Sequence, residues 1–301
     1  MPGLSQLYPF LVLGLAFGGL YAVAGVGLVV LYRTTGVLNF AFGAIGMFGV
    51  NVSWSLLNTT WCPHWLAYLA TIIFSVAVSF AYGRWLSPLY SEREPLVKTL
   101  GTIGLLLLLV GIVFIRWKTQ DARRFALPLK NSHFDIGRAR LNGVHVLAIV
   151  FGIAVTLLVT AFLRYTPLGT AMRAVANNRD VAALVGVPVR KVEAIAWAGS
   201  GLICGVVGLI AGSLLSFDVI GLTYIVISYL AAALIGRLQS LAVTFIAGIL
   251  IGVVENGLTP FNGHFLFLSE DRAMAPFVVC IIAMLWVGRR RTIVLGGREM
   301  S

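Results

Sequence analysis

The sequence predicts an all-α fold, a polytopic transmembrane helical bundle of about eight or nine spans, some of them glycine-broken or re-entrant. Three observations carry this. Of 301 residues, 59% are apolar and 11% charged, with a mean hydropathy of +0.95, whereas a soluble domain carries about 25% charged residues. The apolar residues fall into consecutive runs close to the ~20 residues that cross a bilayer. Those runs are continuously apolar and do not alternate at period two, which argues against an outer-membrane barrel. The chain therefore reads as one transmembrane domain over 1–301.

Uncharged runs place the spans at 7–32, 37–57, 65–83, 99–115, 141–163, 194–217, 219–236, 240–258 and 273–288. The first is too long for a signal-peptide core and has no basic segment before it, so it is expected to stay as a membrane helix. The runs at 37–57 and 219–236 are short or glycine-broken and either can be re-entrant. Thirty-three glycines would weaken soluble helices, but between lipid-embedded helices they let backbones approach closely and create breaks that line a cavity. Cys62, Cys204 and Cys280 are odd in number and far apart. They read as small core residues, not as a disulfide framework or a zinc cluster.

Lys and Arg set the orientation. Nine crossings give one face fourteen of them, including Arg33, Arg84, Arg173 and Arg237, and the other face eight, including Arg116, Arg140 and Arg272. The majority face is expected in the cytoplasm, with the amino terminus outside and the carboxyl terminus inside. Segments 116–140 and 164–193 are both basic and flank a single span, so one must lie outside; 116–140 is taken as the external loop, either a turn-rich cap or a plain solvated loop. The net charge of +11 then reads as contact with lipid headgroups, not with nucleic acid.

A search for catalytic motifs is negative. The lysines followed by Ser or Thr, Lys98 and Lys118, are preceded by Val97 and Trp117 where a phosphate loop needs glycine. No H-E-x-x-H pair or G-x-S-x-G elbow occurs. The chain is expected to be no enzyme, without a nucleotide site, cofactor or metal of its own. His64, His133, His145 and His264 read as interfacial or solvated residues.

Between the fifth and sixth spans, Thr166 can cap a helix that starts at Pro167, and Asn177 or Asn178 can cap a second short helix through Asp180 and Leu184 that stops at Gly186 before Pro188. The apolar residues Leu168, Met172, Val175, Val181, Leu184 and Val187 exceed what a linker needs. The pair either docks in a groove on a cytoplasmic partner or lies under the headgroups as an amphipathic helix.

The stretch from Leu168-Gly169 to Gly186-Val187 resembles the cytoplasmic coupling loop, here about 164–193, of permease subunits from ABC importers for branched-chain amino acids and related compounds. Gly36-Val37-Leu38-Asn39-Phe40-Ala41-Phe42-Gly43-Ala44 resembles that family's L-N-F-A-x-G signature, and Gly248 to Asn256 resembles its glycine-rich helix ending in an acidic residue. The likeness spans Gly14 to about Val287 and is nearest the shorter, H-type subunit of the permease pair. It implies an inner-membrane permease that works by alternating access. Its partners would be a second related permease in a heterodimer, two ATP-binding subunits that hold the ATP and Mg, and an external solute-binding protein. Leu168, Met172, Arg173, Asn177, Asp180 and Leu184 would be the ATPase-coupling residues. The sequence departs from the family pattern at Phe42, where histidine is frequent, and at Gly236-Arg237-Leu238-Gln239-Ser240, usually G-G-L-G-S.

Asn39 lies between Gly36 and Gly43, with Gly46 and Gly49 beyond, so a helix can break there and present backbone amides and the Asn side chain to a polar solute. Phe40, Phe42, Gly43 and Met47 would line the same pathway. The alternative is a close helix crossing bridged by Asn39. Glu255, followed by Asn256, is the acidic residue placed inside a predicted span, at a cost of roughly 2.5–3.5 kcal/mol on insertion scales; it either gates, holds a helix terminus or is merely interfacial. Asp218 is expected to cap the next helix, and Arg237 to snorkel or to face the ATPase. A self-sufficient secondary transporter or channel is the alternative function, and it would want several buried ionisable residues where the spans offer essentially one.

Overall fold

The computed structural model describes residues 4–59, 61–90, 93–117, 127–136, 139–214, 219–261, 276–283 and 285. Its helices are α1 (Leu4–Thr35), α2 (Phe42–Thr59), α3 (His64–Ala81), α4 (Pro95–Trp117), α5 (Gly143–Tyr165), α6 (Pro167–Asn177), α7 (Arg179–Leu184), α8 (Val189–Leu214), α9 (Val219–Ile235) and α10 (Leu241–Gly257). A further helical stretch covers 276–283. Five of these helices are long and apolar enough to cross a membrane, namely α1, α4, α5, α8 and α3 with its extension to Tyr90. Each predicted span falls on a helix over its described residues, and several boundaries need correction, among them that of 194–217, because α8 begins at Val189. The span placed at 37–57 begins only at Phe42, because Gly36 at φ +70° ends α1 and 37–41 is not helical. The span placed at 141–163 begins at Gly143, because Leu141 and Asn142 belong to a strand.

That strand is β2 (Ala139–Asn142), paired antiparallel with β1 (His133–Ile136), so part of the predicted external loop is an ordered hairpin. It leads into α5 through a reciprocal cap: Asn142 Oδ1 accepts from the His145 N–H, and His145 Nδ1 accepts from the Asn142 N–H. His145, expected to be interfacial or solvated, is a half-buried capping residue, edge-on to Phe17. Asp218, His264, Arg272 and the basic carboxyl-terminal segment beyond 285 lie outside the described residues.

Small residues hold the bundle together. On α1, Gly14, Gly18, Ala22 and Gly25 recur at helical spacing and meet α10 antiparallel: a Cβ on Gly14 would lie 2.6 Å from Val253 Cα, and one on Gly18 2.7 Å from Ile249 Cα. Backbone-to-backbone packing of this kind replaces the hydrophobic drive that lipid does not supply. On α3, Thr71, Ser75 and Ser79 form a buried stripe one turn apart. Thr71 Oγ1 donates to Gly49 O at 2.9 Å and Ser79 Oγ to Trp197 O at 2.6 Å, which joins α3 to α2 and α8.

α5 runs parallel to α1, with Gly19 beside Ala148 at one end and a groove between Thr34 and Leu163 at the other. The ends of α1 and α5, the helices α6 and α7 and the start of α10 therefore share one end of the bundle. Arg33, Arg164, Arg173, Arg190, Lys191 and Arg237 collect there, whereas Arg116 ends α4 at the opposite end, beside the Trp117 to Ser55 hydrogen bond.

α9 and α10 are joined at that end by an unusual turn. Arg237 and Leu238 have φ of 57° and 54°, a left-handed conformation taken by two non-glycine residues in succession. Their N–H groups close the end of α9 on Leu234 O and Ala233 O. Left-handed backbone costs an L-residue roughly 1–2 kcal/mol. Arg237→Gly is therefore expected to stabilise the protein by about 1 kcal/mol, seen as a higher melting temperature in detergent; an unchanged or lowered value would mean that the guanidinium contributes more than the strain costs.

Candidate functional site

The site forms where α1 ends and α2 begins. Gly36 turns the chain back into the bundle, and the non-helical stretch 37–41 climbs until Phe42 starts α2 beside Gly27, roughly two helical turns above the end of α1. Non-helical backbone at that depth must find partners inside the protein. Thr102 of α4 supplies them: its hydroxyl donates to Leu38 O at 2.8 Å and accepts from the Phe40 N–H at 3.2 Å. α2, 18 residues long, thus has its amino terminus inside the bundle.

Asn39 lies in the climbing stretch, fully buried, and neither its Oδ1 nor its Nδ2 has a hydrogen-bond partner. Asn39 stands two positions before the N-cap position of α2, Ala41, outside the reach of ordinary capping. Phe42, Gly43 and Met47 line a narrow cavity together with Gly46 of α2, Cys204, Val207, Gly208 and Ala211 of α8, and Ile225 and Tyr229 of α9; its volume is about 20 Å³, room for about one water. Phe42 packs on Tyr229 with ring centroids 5.0 Å apart. Asn39 and Phe40 precede this cavity and are not among its lining residues. The Tyr229 hydroxyl is buried, lies close to the Gly43 backbone and completes no full hydrogen bond.

At the basic end, the geometry of the segment between α5 and α8 follows the sequence closely. Thr166 Oγ1 accepts from the Gly169 N–H at 2.9 Å and so caps α6, with Pro167 at its first position. Asn178, rather than Asn177, caps α7 by accepting from the N–H groups of Asp180 and Val181. Gly186 at φ +89° stops it. The six residues assigned to coupling divide between two faces. Met172 is buried against the bundle and Leu168 is half-buried, while Arg173, Asn177, Asp180 and Leu184 are exposed, Leu184 at 86%. Val181 and Val185 extend that outward apolar patch.

One interaction at this end was not foreseen. Arg179 Nε donates to Glu193 Oε1 at 2.9 Å, and the Glu193 side chain is only 7% exposed. Glu193 escaped notice because the span was started at 194, whereas α8 begins at Val189. From Glu193, buried residues at spacings of three or four, Trp197, Ser200, Cys204 and Gly208, run along α8 to the cavity wall. Trp197 Nε1 and Ser200 Oγ have no hydrogen-bond partner. Glu255 lies in the last turn of α10, buried, beside Asn256, whose Nδ2 donates to Gly252 O at 2.9 Å.

A non-helical entry to α2 beside a buried cavity, with a capped helix pair at one end of the bundle, gives features that a transport subunit would use. Comparison with known families agrees. The family described as "Branched-chain amino acid transport system / permease component" matches residues 10–289. The chain belongs to this permease family. The permease is 26% identical over 293 residues to the high-affinity branched-chain amino acid transport system permease protein LivH of Salmonella typhimurium, covering 90% of this chain and 91% of that one. It is 26% identical over 321 residues to BraD of Pseudomonas aeruginosa, a protein with the same description, at 100% and 99% coverage. Among solved structures, PsaBC from Streptococcus pneumoniae in complex with a Fab aligns with the permease at a TM-score of 0.49 and 14% identity, over 92% of this chain and 90% of that one.

Proposed function

We propose that this permease forms the translocation pathway of an ATP-binding-cassette importer for branched-chain amino acids or similar small polar solutes. The solute passes at the break before α2, by alternating access. ATP and Mg are held by two separate ATP-binding subunits, a second related permease completes the membrane part, and an external binding protein delivers the solute. The chain sits in the bacterial inner membrane, amino terminus outside, with the α6–α7 end in the cytoplasm.

The observation that carries this reading is the α6–α7 pair. Its inner face is sealed to the bundle through Met172, Val175 and the Arg179 to Glu193 pair, while its outer face leaves Val181, Leu184 and Val185 more than half exposed. An apolar patch on a rigid protrusion suits a groove on a partner. Reconstitution with the partner subunits and measurement of ATP-dependent leucine uptake tests the function as a whole. Within that system, Leu184→Asp and Arg173→Glu are expected to reduce copurification of the ATP-binding subunits and coupled uptake at least about tenfold, the cost of burying one charge against an apolar groove, without changing membrane insertion. Full copurification and full uptake by both variants would remove the docking assignment.

A further inference from the structure

We propose that Tyr229 and the open first turn of α2, with Asn39 just before it in the chain, form a subsite for the carboxylate of the transported solute, and that the apolar wall of the same cavity receives its hydrocarbon end when the bundle opens beyond the one-water volume it has here. This rests on the transport reading above and adds which groups touch which end of the solute.

Both side chains are buried, Asn39 at 0% and Tyr229 at 1% exposure. Both leave polar atoms without partners. A buried polar group with no partner is destabilising, so packing alone would favour leucine at one position and phenylalanine at the other. Tyr229 lines the cavity, and its hydroxyl approaches the Gly43 backbone. The first bond of α2 runs from the Ile45 N–H to Ala41 O, so the N–H groups of Phe42, Gly43 and Ala44 precede the hydrogen-bonded ladder. A helix amino terminus favours an anion, and none of the residues lining the cavity carries a charge. The Tyr229 hydroxyl and the α2 amino terminus, which meet there, therefore suit an oxyanion and offer no counter-charge to an ammonium. Met47, Val207, Ala211 and Ile225 make the apolar wall.

Cys204 lies in that wall and is a native reporter. In the complete complex in proteoliposomes without binding protein, with Cys62→Ser and Cys280→Ser, alkylation of Cys204 by N-ethylmaleimide is followed in the presence of leucine or of leucinamide, which lacks the carboxylate. Leucine is expected to slow the modification several-fold and leucinamide to leave it unchanged. Tyr229→Phe removes only the hydroxyl; it is expected to abolish the protection and to raise the KM for uptake about tenfold, the loss of one hydrogen bond to a charged group. Asn39→Leu, which keeps the volume, is expected to act in the same direction. Equal protection by leucine and leucinamide, or a KM unchanged in both variants, overturns the subsite while leaving the transport reading in place. If the unsubstituted complex shows no ATP-driven leucine uptake at all, the transport reading itself fails.

Discussion

Gly43→Leu is expected to abolish solute uptake while the complex still assembles. Gly43 lines the cavity at the first turn of α2, beside the packed rings of Phe42 and Tyr229. An isobutyl group there fills the space and covers the helix amino terminus. Overpacking of this kind costs about 1–3 kcal/mol, which α2 can absorb because it is anchored further along, by Thr71 on Gly49 and by Ser53 on Ala67. Gly46→Leu is the informative contrast. A Cβ at Gly46 would lie 2.6 Å from Cys204 O, so that variant is expected to lose the α2–α8 crossing and assembly with it. Size-exclusion chromatography of the complex and ATP-driven uptake in proteoliposomes distinguish the two. Uptake above half the normal rate in Gly43→Leu would place the solute elsewhere.

Arg179→Ala is expected to uncouple ATP hydrolysis from transport. The Arg179 to Glu193 pair is the side-chain ion pair seen among the described residues that fastens α7 to α8. From Glu193 to Gly208 the same face of α8 stays buried up to the cavity. α8 thus connects α6–α7 to the cavity wall by one continuous buried face, the route that a displacement of the pair would take. Removing the guanidinium leaves a buried carboxylate without its main partner, at about 1–3 kcal/mol; because Arg179 is 38% exposed, water recovers part of that, and the fold survives. ATPase activity is expected to persist while uptake per ATP falls at least about tenfold, a coupling loss of the usual allosteric size. The double variant Arg179→Glu with Glu193→Arg tests the pair itself: restored coupling supports it, and normal stoichiometry in the single variant rejects it.

The large features were legible in the sequence because lipid makes them so. Continuous apolar runs marked the helices, and Thr166, Pro167, Gly186 and Pro188 marked the bounds of α6 and α7 nearly to the residue, since capping chemistry is local. The break before α2 was visible as a cluster of glycines. Its start at Phe42 was not, because that boundary depends on Thr102, more than sixty residues away, satisfying Leu38 O and the Phe40 N–H. Cys204 was read as a small core residue and Tyr229 carried no signal in the sequence; only the packing of α8 and α9 on α2 brings them to one cavity. Met172 was read as part of the docking face because the sequence shows that α6 is amphipathic without showing which side meets the bundle.

The glycine seam between α1 and α10 also has a biosynthetic consequence. The ribosome releases the first of these helices long before it makes the second, because Gly18 and Gly252 are separated by most of the chain. Until then, the notched side of α1 has no mate, and contacts of such long sequence separation form late. A nascent chain truncated before Gly248 would present that bare strip to the insertion machinery, which makes quality control there a check on whether synthesis was completed.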